Sequence, residues 1–162
     1  MNEFVIRDAG HDDVPLIVQM IRRMIEDMAC YGGHAPATEE AASGDLAATV
    51  AEALRGGSTR YQIAQLLDGE PVGIAGAELI TVGGAFAPKK IMDIDVVYVL
   101  PPFRRKGIAS TLLARALDWG RAAGCEQCTL NVLDNNPAKS LYAKSGFAVF
   151  ELKLMRSLQS GD

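Results

Sequence analysis

The chain has 162 residues, 49% hydrophobic and 22% charged, with a formal net charge of −4, which is enough for one domain with a real core but not comfortably for two. The acidic balance argues against general nucleic-acid binding, which needs a broad basic face, and no apolar run approaches the ~20 residues of a membrane span. The opening Met-Asn-Glu-Phe-Val-Ile-Arg has neither the basic nor the apolar part of a secretory signal, so a cytoplasmic location is expected.

Phe4 to Arg7 predicts a short first strand, and a helix follows to about Met28, with Asp12 or Asp13 as its cap and Pro15 in its first turn. Val14, Ile17, Val18, Ile21, Met24, Ile25 and Met28 recur at helical spacing, and Met20, Met24 and Met28 read as a core stripe. Tyr31 to Pro36 predicts a loop. Its His34 reads as an exposed loop residue, with contact to an acceptor substrate as the functional alternative. An alanine-rich helix is expected over about Thr38 to Leu54, with Ser43-Gly44 as a place for a break and Gly56-Gly57 ending it. Arg60 to Leu67 and Val72 to Ile80 predict a hairpin about Asp68-Gly69-Glu70; Val82 to Pro88 is a loop and Ile91 to Val99 a β-branched strand. Lys106 to Ala123 predicts a helix closed by Gly124, with Trp119 as packing. Cys125 to Leu133 is a further strand and Pro137 to Ser145 a short helix capped by Asn136. Phe147 to Leu154 is the last strand or a bent pair.

Residues 1–158 are read as a single domain and 159–162 as a short tail. Three cysteines and no export signal argue against a disulfide framework. Cys125 and Cys128 form a C-x-x-C, but with no second pair they read as core, and no metal site is expected.

The run Val97-Tyr98-Val99-Leu100-Pro101-Pro102-Phe103-Arg104-Arg105-Lys106-Gly107-Ile108-Ala109 carries the strongest signal. A strand stops at two prolines, three cations and a glycine follow, and a helix begins. Backbone N–H groups, a helix N-terminus and mobile positive charge then meet at one strand end, which suits a phosphorylated ligand. Val99-x-Pro101 with Arg104-x-x-Gly107-x-Ala109 resembles the acetyl-CoA signature of the GNAT N-acetyltransferase superfamily. Asn135-x-x-Ala138-x-x-Leu141-Tyr142-x-Lys144-x-Gly146-Phe147 resembles its other signature. Arg105 stands where glycine is frequent in that pattern, and Ala109 where the final glycine is common.

The resemblance implies a mixed α/β fold of six to seven strands with about four helices, in which a splayed pair of parallel strands, Ile91–Val99 and Cys125–Leu133, forms the cofactor cleft. It implies acetyl-CoA as cosubstrate. The amides of Arg104, Arg105, Lys106, Gly107, Ile108, Ala109 and Ser110 would hold the pyrophosphate, and the backbone of Val97, Tyr98 and Val99 would pair with the pantetheine arm. Asn131, Asn135 and Ala138 would line the other side, with Lys144 near the outer phosphate. Tyr142 would donate to the departing thiolate, and a β-bulge amide near Val97–Val99 would face the acetyl oxygen.

Asp93 and Asp95 alternate with Met92, Ile94 and Val96. Period two places both carboxylates on one face with Val97 and Val99. One of them can serve as base if burial and mutual repulsion raise its pKa; Asp95 is favoured as nearer the thioester, and a solvated pair is the alternative. No cysteine or serine stands out as a nucleophile, so direct attack of a primary amine is expected. A small cationic amine suits the acidic balance, and a peptide or protein amine is the other acceptor class. A catalytically inactive acyl-CoA-binding module is the rival function. Homodimers are frequent in the family, and the residues leave that point open.

Overall fold

The antiparallel part of the sheet is a meander. β1 (Phe4–Asp8), β2 (Thr59–Leu66), β3 (Pro71–Val82) and β4 (Lys89–Val99) pair in that order, and β5 (Gln127–Leu130) joins β4 in parallel. The computed structural model describes residues 3–32 and 45–158. β4 and β5 are parallel because the crossover helix α3 (Ile108–Ala122) joins them. The other helices are α1 (Val14–Ala29), α2 (Leu46–Gly56) and α4 (Lys139–Lys144).

Each sheet face has its own apolar layer. α1 and α2 bring Ile17, Met20, Ile21 and Val50 against Tyr61, Ile63, Ile74, Val96 and Tyr98. On the opposite face, α3 brings Ile108 and Leu112 against Ala64, Val72, Ala75 and Val99, then Leu113 and Ala116 against Ala77, Met92 and Ile94. These helical residues recur three and four apart, as a stripe facing the core must.

Several boundaries differ from the sequence reading. The sheet has five strands among the described residues, not six or seven. Residues 147–158 form no strand, despite their β-type pattern, because they make no ladder with β5. β5 covers only Gln127–Leu130 of the expected Cys125–Leu133, since the chain leaves β4 at Leu130. Asp13 precedes α1 but does not cap it. Its carboxylate accepts from Gly10 N–H at 2.8 Å and from Arg7 at 2.7 Å, so it holds the helix to β1 instead. α2 starts at Leu46, where the Asp45 side chain accepts from Ala48 N–H at 3.1 Å. The earlier part of that predicted helix, with Ser43-Gly44, and His34 in the preceding loop lie outside the described residues. The methionine stripe holds in part, with Met20 fully buried and Met24 packed beside the same cluster. Cys125 and Cys128 pack beside the apolar layer under α3 as free thiols, and burial pushes the Cys128 thiol up to about 12. Trp119 is half-buried in that layer, with the Arg60 guanidinium 4.8 Å above its ring.

Candidate functional site

The centre of the site is one extra residue in β4. Val96 pairs with Gly76 and Ile94 with Ala77, which leaves Asp95 as a β-bulge. Before the bulge, Met92 and Ile94 face α3; after it, Val97 and Val99 do. Asp95 therefore falls on the α1 face with Val96 and Tyr98. This corrects the period-two expectation that put it on one face with Val97 and Val99. It also moves the bulge from the expected Val97–Val99 to Asp95.

The same place is where β4 and β5 part. Their ladder runs from Ile91–Gln127 to Ile94–Leu130 and stops, while β4 continues to Val99. Leu100 N–H donates to Val72 C=O at 2.9 Å. Antiparallel alternation then turns Tyr98's backbone groups toward β3 and those of Val97 and Val99 toward the opening. Of these, the Val99 carbonyl is already taken, by Arg104 Nε at 2.8 Å.

Asp95 sits beside Tyr61 and Gly76. A Cβ on Gly76 would lie 2.5 Å from the Tyr61 ring and 2.9 Å from Asp95 Oδ1, so only glycine leaves room for both. Asp95 as a residue is exposed, yet protein crowds its carboxyl group, and the local crowding governs its protonation. Burial raises its pKa, its own amide and that of Val96 pull it back, and the charges of Asp93 and Glu78 raise it further. Tyr61 is pushed up to about 12 by burial and then by Asp95 and Glu78. Asp93 differs from Asp95 in having a direct partner, because Thr129 Oγ1 donates to its Oδ1 at 2.5 Å. Glu78 stands opposite Asp93 in the β3–β4 register. Three carboxylates thus converge on the α1 face at the opening.

The strand–helix connection has the features of an anion cradle. Arg105 has φ +65° and Gly107 has φ +81°, so the backbone turns twice through the left-handed region before α3. The amides of Arg105 to Ser110 donate to no carbonyl among the described residues, whereas Arg104 N–H already bonds Pro101 C=O at 3.3 Å. The free run therefore begins one residue later than expected. The three cations also differ from one another. Arg104 is not mobile: besides Val99 C=O, its Nη2 reaches Asp27 Oδ2 at 2.5 Å, and its guanidinium lies 5.5 Å from the Tyr98 ring centre. Tyr98 OH also donates to Asp27, at 3.2 Å. Arg104 is thus a clip between the end of β4 and α1. Lys106 lies 5.4 Å above the Phe103 ring, and Arg105 is exposed.

On the α3 face, Tyr142 and Leu141 both pack beside the Met92–Ile94–Leu113 cluster, in company with Val97 and Leu130. Tyr142 is half-buried, meets Phe147 edge-on with ring centres 6.0 Å apart, and has its pKa raised by burial. Asn136 does not cap α4, which begins at Lys139 after Ala138; its Oδ1 accepts from Ala138 N–H at 2.9 Å and sets the turn before the helix instead. Asn131 and Asn135 are exposed on the segment leaving β5, and Lys144 is exposed at the end of α4.

Glu78, Tyr61, Thr129 and Asp27 were not singled out by the sequence. Each enters through cross-strand register or the α1–β4 contact, neither of which is written locally. Gly76, one turn of alternation before Glu78 in β3, is the only local hint of a crowded approach.

Residues 25–147 match the Acetyltransferase (GNAT) family. Among solved structures, a variant of the BH1408 protein from Bacillus halodurans superposes with a TM-score of 0.83 at 17% identity, covering 96% of this chain and 99% of that one. A predicted acetyltransferase with acetyl-CoA from Clostridium acetobutylicum gives 0.75 at 20% identity, covering 96% of each chain. The aminoglycoside N-acetyltransferase AAC(6')-Iy in complex with CoA gives 0.70 at 18% identity, covering 96% of this chain and all of that one. At these identities the likeness is one of fold. A 55-residue stretch is 40% identical to the N-alpha-acetyltransferase MAK3 of Arabidopsis thaliana, spanning 33% of this chain and 29% of that protein.

Proposed function

The chain belongs to the GNAT acetyltransferase family and is thus an acyltransferase, and from that premise we propose that it moves an acetyl group from acetyl-CoA to the primary amine of a small cationic acceptor, directly and within a ternary complex. The observation that carries this reading is the parting of β4 from β5 at the Asp95 bulge, beside six free amides at the start of α3.

Acetyl-CoA supplies an acyl group already activated as a thioester. The amides of Arg105 to Ser110, the α3 dipole and Arg105 with Lys106 would bind its pyrophosphate. The backbone groups of Val97 and the Val99 N–H would take the pantetheine arm, facing Asn131, Asn135 and Ala138, with Lys144 nearer the outer phosphate. Asp95 would take a proton from the acceptor ammonium, its raised pKa making it a better base than an ordinary aspartate near ~3.9. Asp93, held by Thr129, and Glu78 would attract and orient the cation.

Tyr142 lies on the other face of the opening and would donate to charge developing on sulfur. A phenol near ~10 and a thiol near ~8.5 make complete transfer uphill by about 2 kcal/mol in water. Burial raises the Tyr142 phenol further, so its contribution is weighted toward hydrogen bonding rather than full transfer.

The test is amine-dependent release of free thiol from acetyl-CoA across a panel of diamines, aminoglycosides and peptides. Release with cationic small amines supports the proposal. Acetyl-CoA that stabilises the protein, by about 2.7 kcal/mol at 100 times Kd, with no release for any acceptor would instead indicate a binding module. The stretch similar to an N-alpha-acetyltransferase favours a second reading, in which the acceptor is a peptide N-terminus; peptide-only activity would select it.

A further inference from the structure

The last turn of α1 holds a carboxylate where the helix dipole disfavours one. Asp27 stands two residues before the end of the helix, and no basic residue shares that turn to offset it. Its partners come instead from the far end of β4. Arg104 Nη2 lies 2.5 Å from its Oδ2, and Tyr98 OH donates to the same oxygen at 3.2 Å. The two side chains of the ion pair are 38% and 37% exposed, so it is no freely solvated surface contact.

Arg104 is thereby held at three points. Its backbone N–H donates to Pro101 C=O at 3.3 Å, its Nε to Val99 C=O at 2.8 Å, and its Nη2 to Asp27. The next residue is Arg105, whose φ of +65° puts a residue with a side chain in the left-handed region. Such a conformation is unfavourable and persists only where the surroundings over-determine it. The three holds on Arg104 fix the peptide that enters this turn, and the turn aims the free amides from Arg105 onward. Arginine suits the task because its planar fork donates in two directions at once, which a single ammonium at one position does not.

We propose that Asp27 is a positioning residue for the cofactor: through Arg104 it locks the turn at Arg105 and so presets the amides of Arg105 to Ser110 for the pyrophosphate, an assignment that rests on the proposed use of acetyl-CoA. A loop already set in its bound form need not be ordered by the ligand, and that gain appears as affinity. Fixing the backbone of a single residue corresponds to roughly tenfold in Kd. Asp27 therefore acts on the binding of the donor and not on the chemical step. A carboxylate on α1, remote in sequence from the strand–turn–helix that carries the amides, sets how tightly the donor is held.

The experiment is calorimetric titration of the full chain with CoA, joined to steady-state rates with acetyl-CoA as the varied substrate. Asp27→Ala should raise the Kd for CoA roughly tenfold, and the KM for acetyl-CoA in proportion, with kcat held to within about twofold. Asp27→Glu, which keeps the carboxylate, should recover most of the affinity. Arg104→Lys should weaken CoA binding as much as Asp27→Ala does, and the double variant should be no weaker than either, because both break one connection. Asp118→Ala, which removes an exposed ion pair with Arg121, controls for the loss of a surface carboxylate and should leave Kd unchanged. Melting curves check that each variant folds; Asp27→Asn, close to isosteric, replaces Asp27→Ala if that variant does not, with a loss of at least about threefold in affinity expected. Wild type that binds CoA beside an Asp27→Ala protein of equal affinity would overturn this role of Asp27 and leave the proposed function standing. So would a fall in kcat at unchanged KM, or losses from Asp27→Ala and Arg104→Lys that simply add. Wild type that binds no CoA would overturn both this role and the cofactor reading beneath it.

Discussion

Gly76→Ala tests the geometry on which the assignment of Asp95 rests. The new methyl would lie 2.5 and 2.8 Å from Tyr61 Cε1 and Cδ1 and 2.9 Å from Asp95 Oδ1. Tyr61 cannot retreat easily, because it is 5% exposed and packed in the cluster under α1 and α2. Asp95 can, by rotating away from β3. Two effects oppose each other. Replacing glycine stiffens the unfolded chain and stabilises by about 0.4–1 kcal/mol, while overpacking a close-packed site costs about 1–3 kcal/mol. The second wins, leaving a net loss of about 1–2 kcal/mol, or roughly 2–8 °C in Tm at this chain length.

The functional loss should exceed the loss of stability, because the displaced group is the proposed base. A carboxylate moved by about 1 Å costs on the order of 10²-fold in rate. Thermal denaturation and kcat/KM for the same preparation read the two effects separately. Gly83→Ala, with nothing within 4 Å of the added carbon and no positive φ, is the control. A Gly76→Ala protein with unchanged Tm and unchanged kcat/KM would refute the crowding of Asp95 and Tyr61, and with it the placement of the base.

Asp95→Asn should remove the acidic limb of the kcat/KM profile. In the wild type, activity should rise with pH as Asp95 loses its proton, at a pH above the ordinary carboxylate range because its folded pKa is raised. For stability the sign is opposite: a carboxyl group with a raised folded pKa contributes below its unfolded pKa and loses that contribution as pH rises through the folded value. Asp95→Asn should therefore melt no lower than wild type at neutral pH, as calorimetry would read. Tyr142→Phe should lower turnover by roughly 10²–10⁴ where chemistry limits the rate; unchanged single-turnover rates would remove Tyr142 from the mechanism. Arg105→Gly should be neutral or stabilising by up to about 1 kcal/mol, since it relieves a left-handed backbone, whereas Arg105→Val should cost about 1–2 kcal/mol in a denaturant titration.

The parts of the site written in local order were legible in the sequence. Two prolines, a glycine and an amphipathic run were enough to place the turn before α3, and even the frequent glycine at position 105 corresponds to a positive φ. Asn136 was readable as a turn former because its partner is two residues away, although the helix itself begins later than expected, at Lys139. What failed was anything that depends on pairing. Period two holds only while a ladder is regular, so the bulge reversed the faces of Val97 and Val99 relative to Asp95. Arg104 looked like a free cation because Asp27, its partner, is 77 residues away in sequence. The β-like pattern at 147–154 agreed with the six or seven strands that the resemblance implied, but a pattern supplies only one side of a ladder, and among the described residues the sheet has five.

The bulge also explains why an acidic residue is tolerated in the middle of β4. With unbroken alternation and Val97 facing α3, Asp95 would face α3 too, against the apolar layer of Leu113 and Ala116, where an unpaired charge is costly. The extra residue puts it on the other face, beside Tyr61 and the carboxylates of Asp93 and Glu78. It does so without disturbing the α3 layer, because Val97 and Val99 return to that layer directly after it. One insertion thus separates two requirements that a regular strand would set against each other. The α3 face stays apolar around Tyr142, and the α1 face gains a crowded carboxylate at the point where the backbone of β4 is left open by the departure of β5. Shortening β4 by one residue would recombine those requirements, which is why the bulge, more than either aspartate by itself, is the feature of this strand that makes a cleft with two chemically different sides.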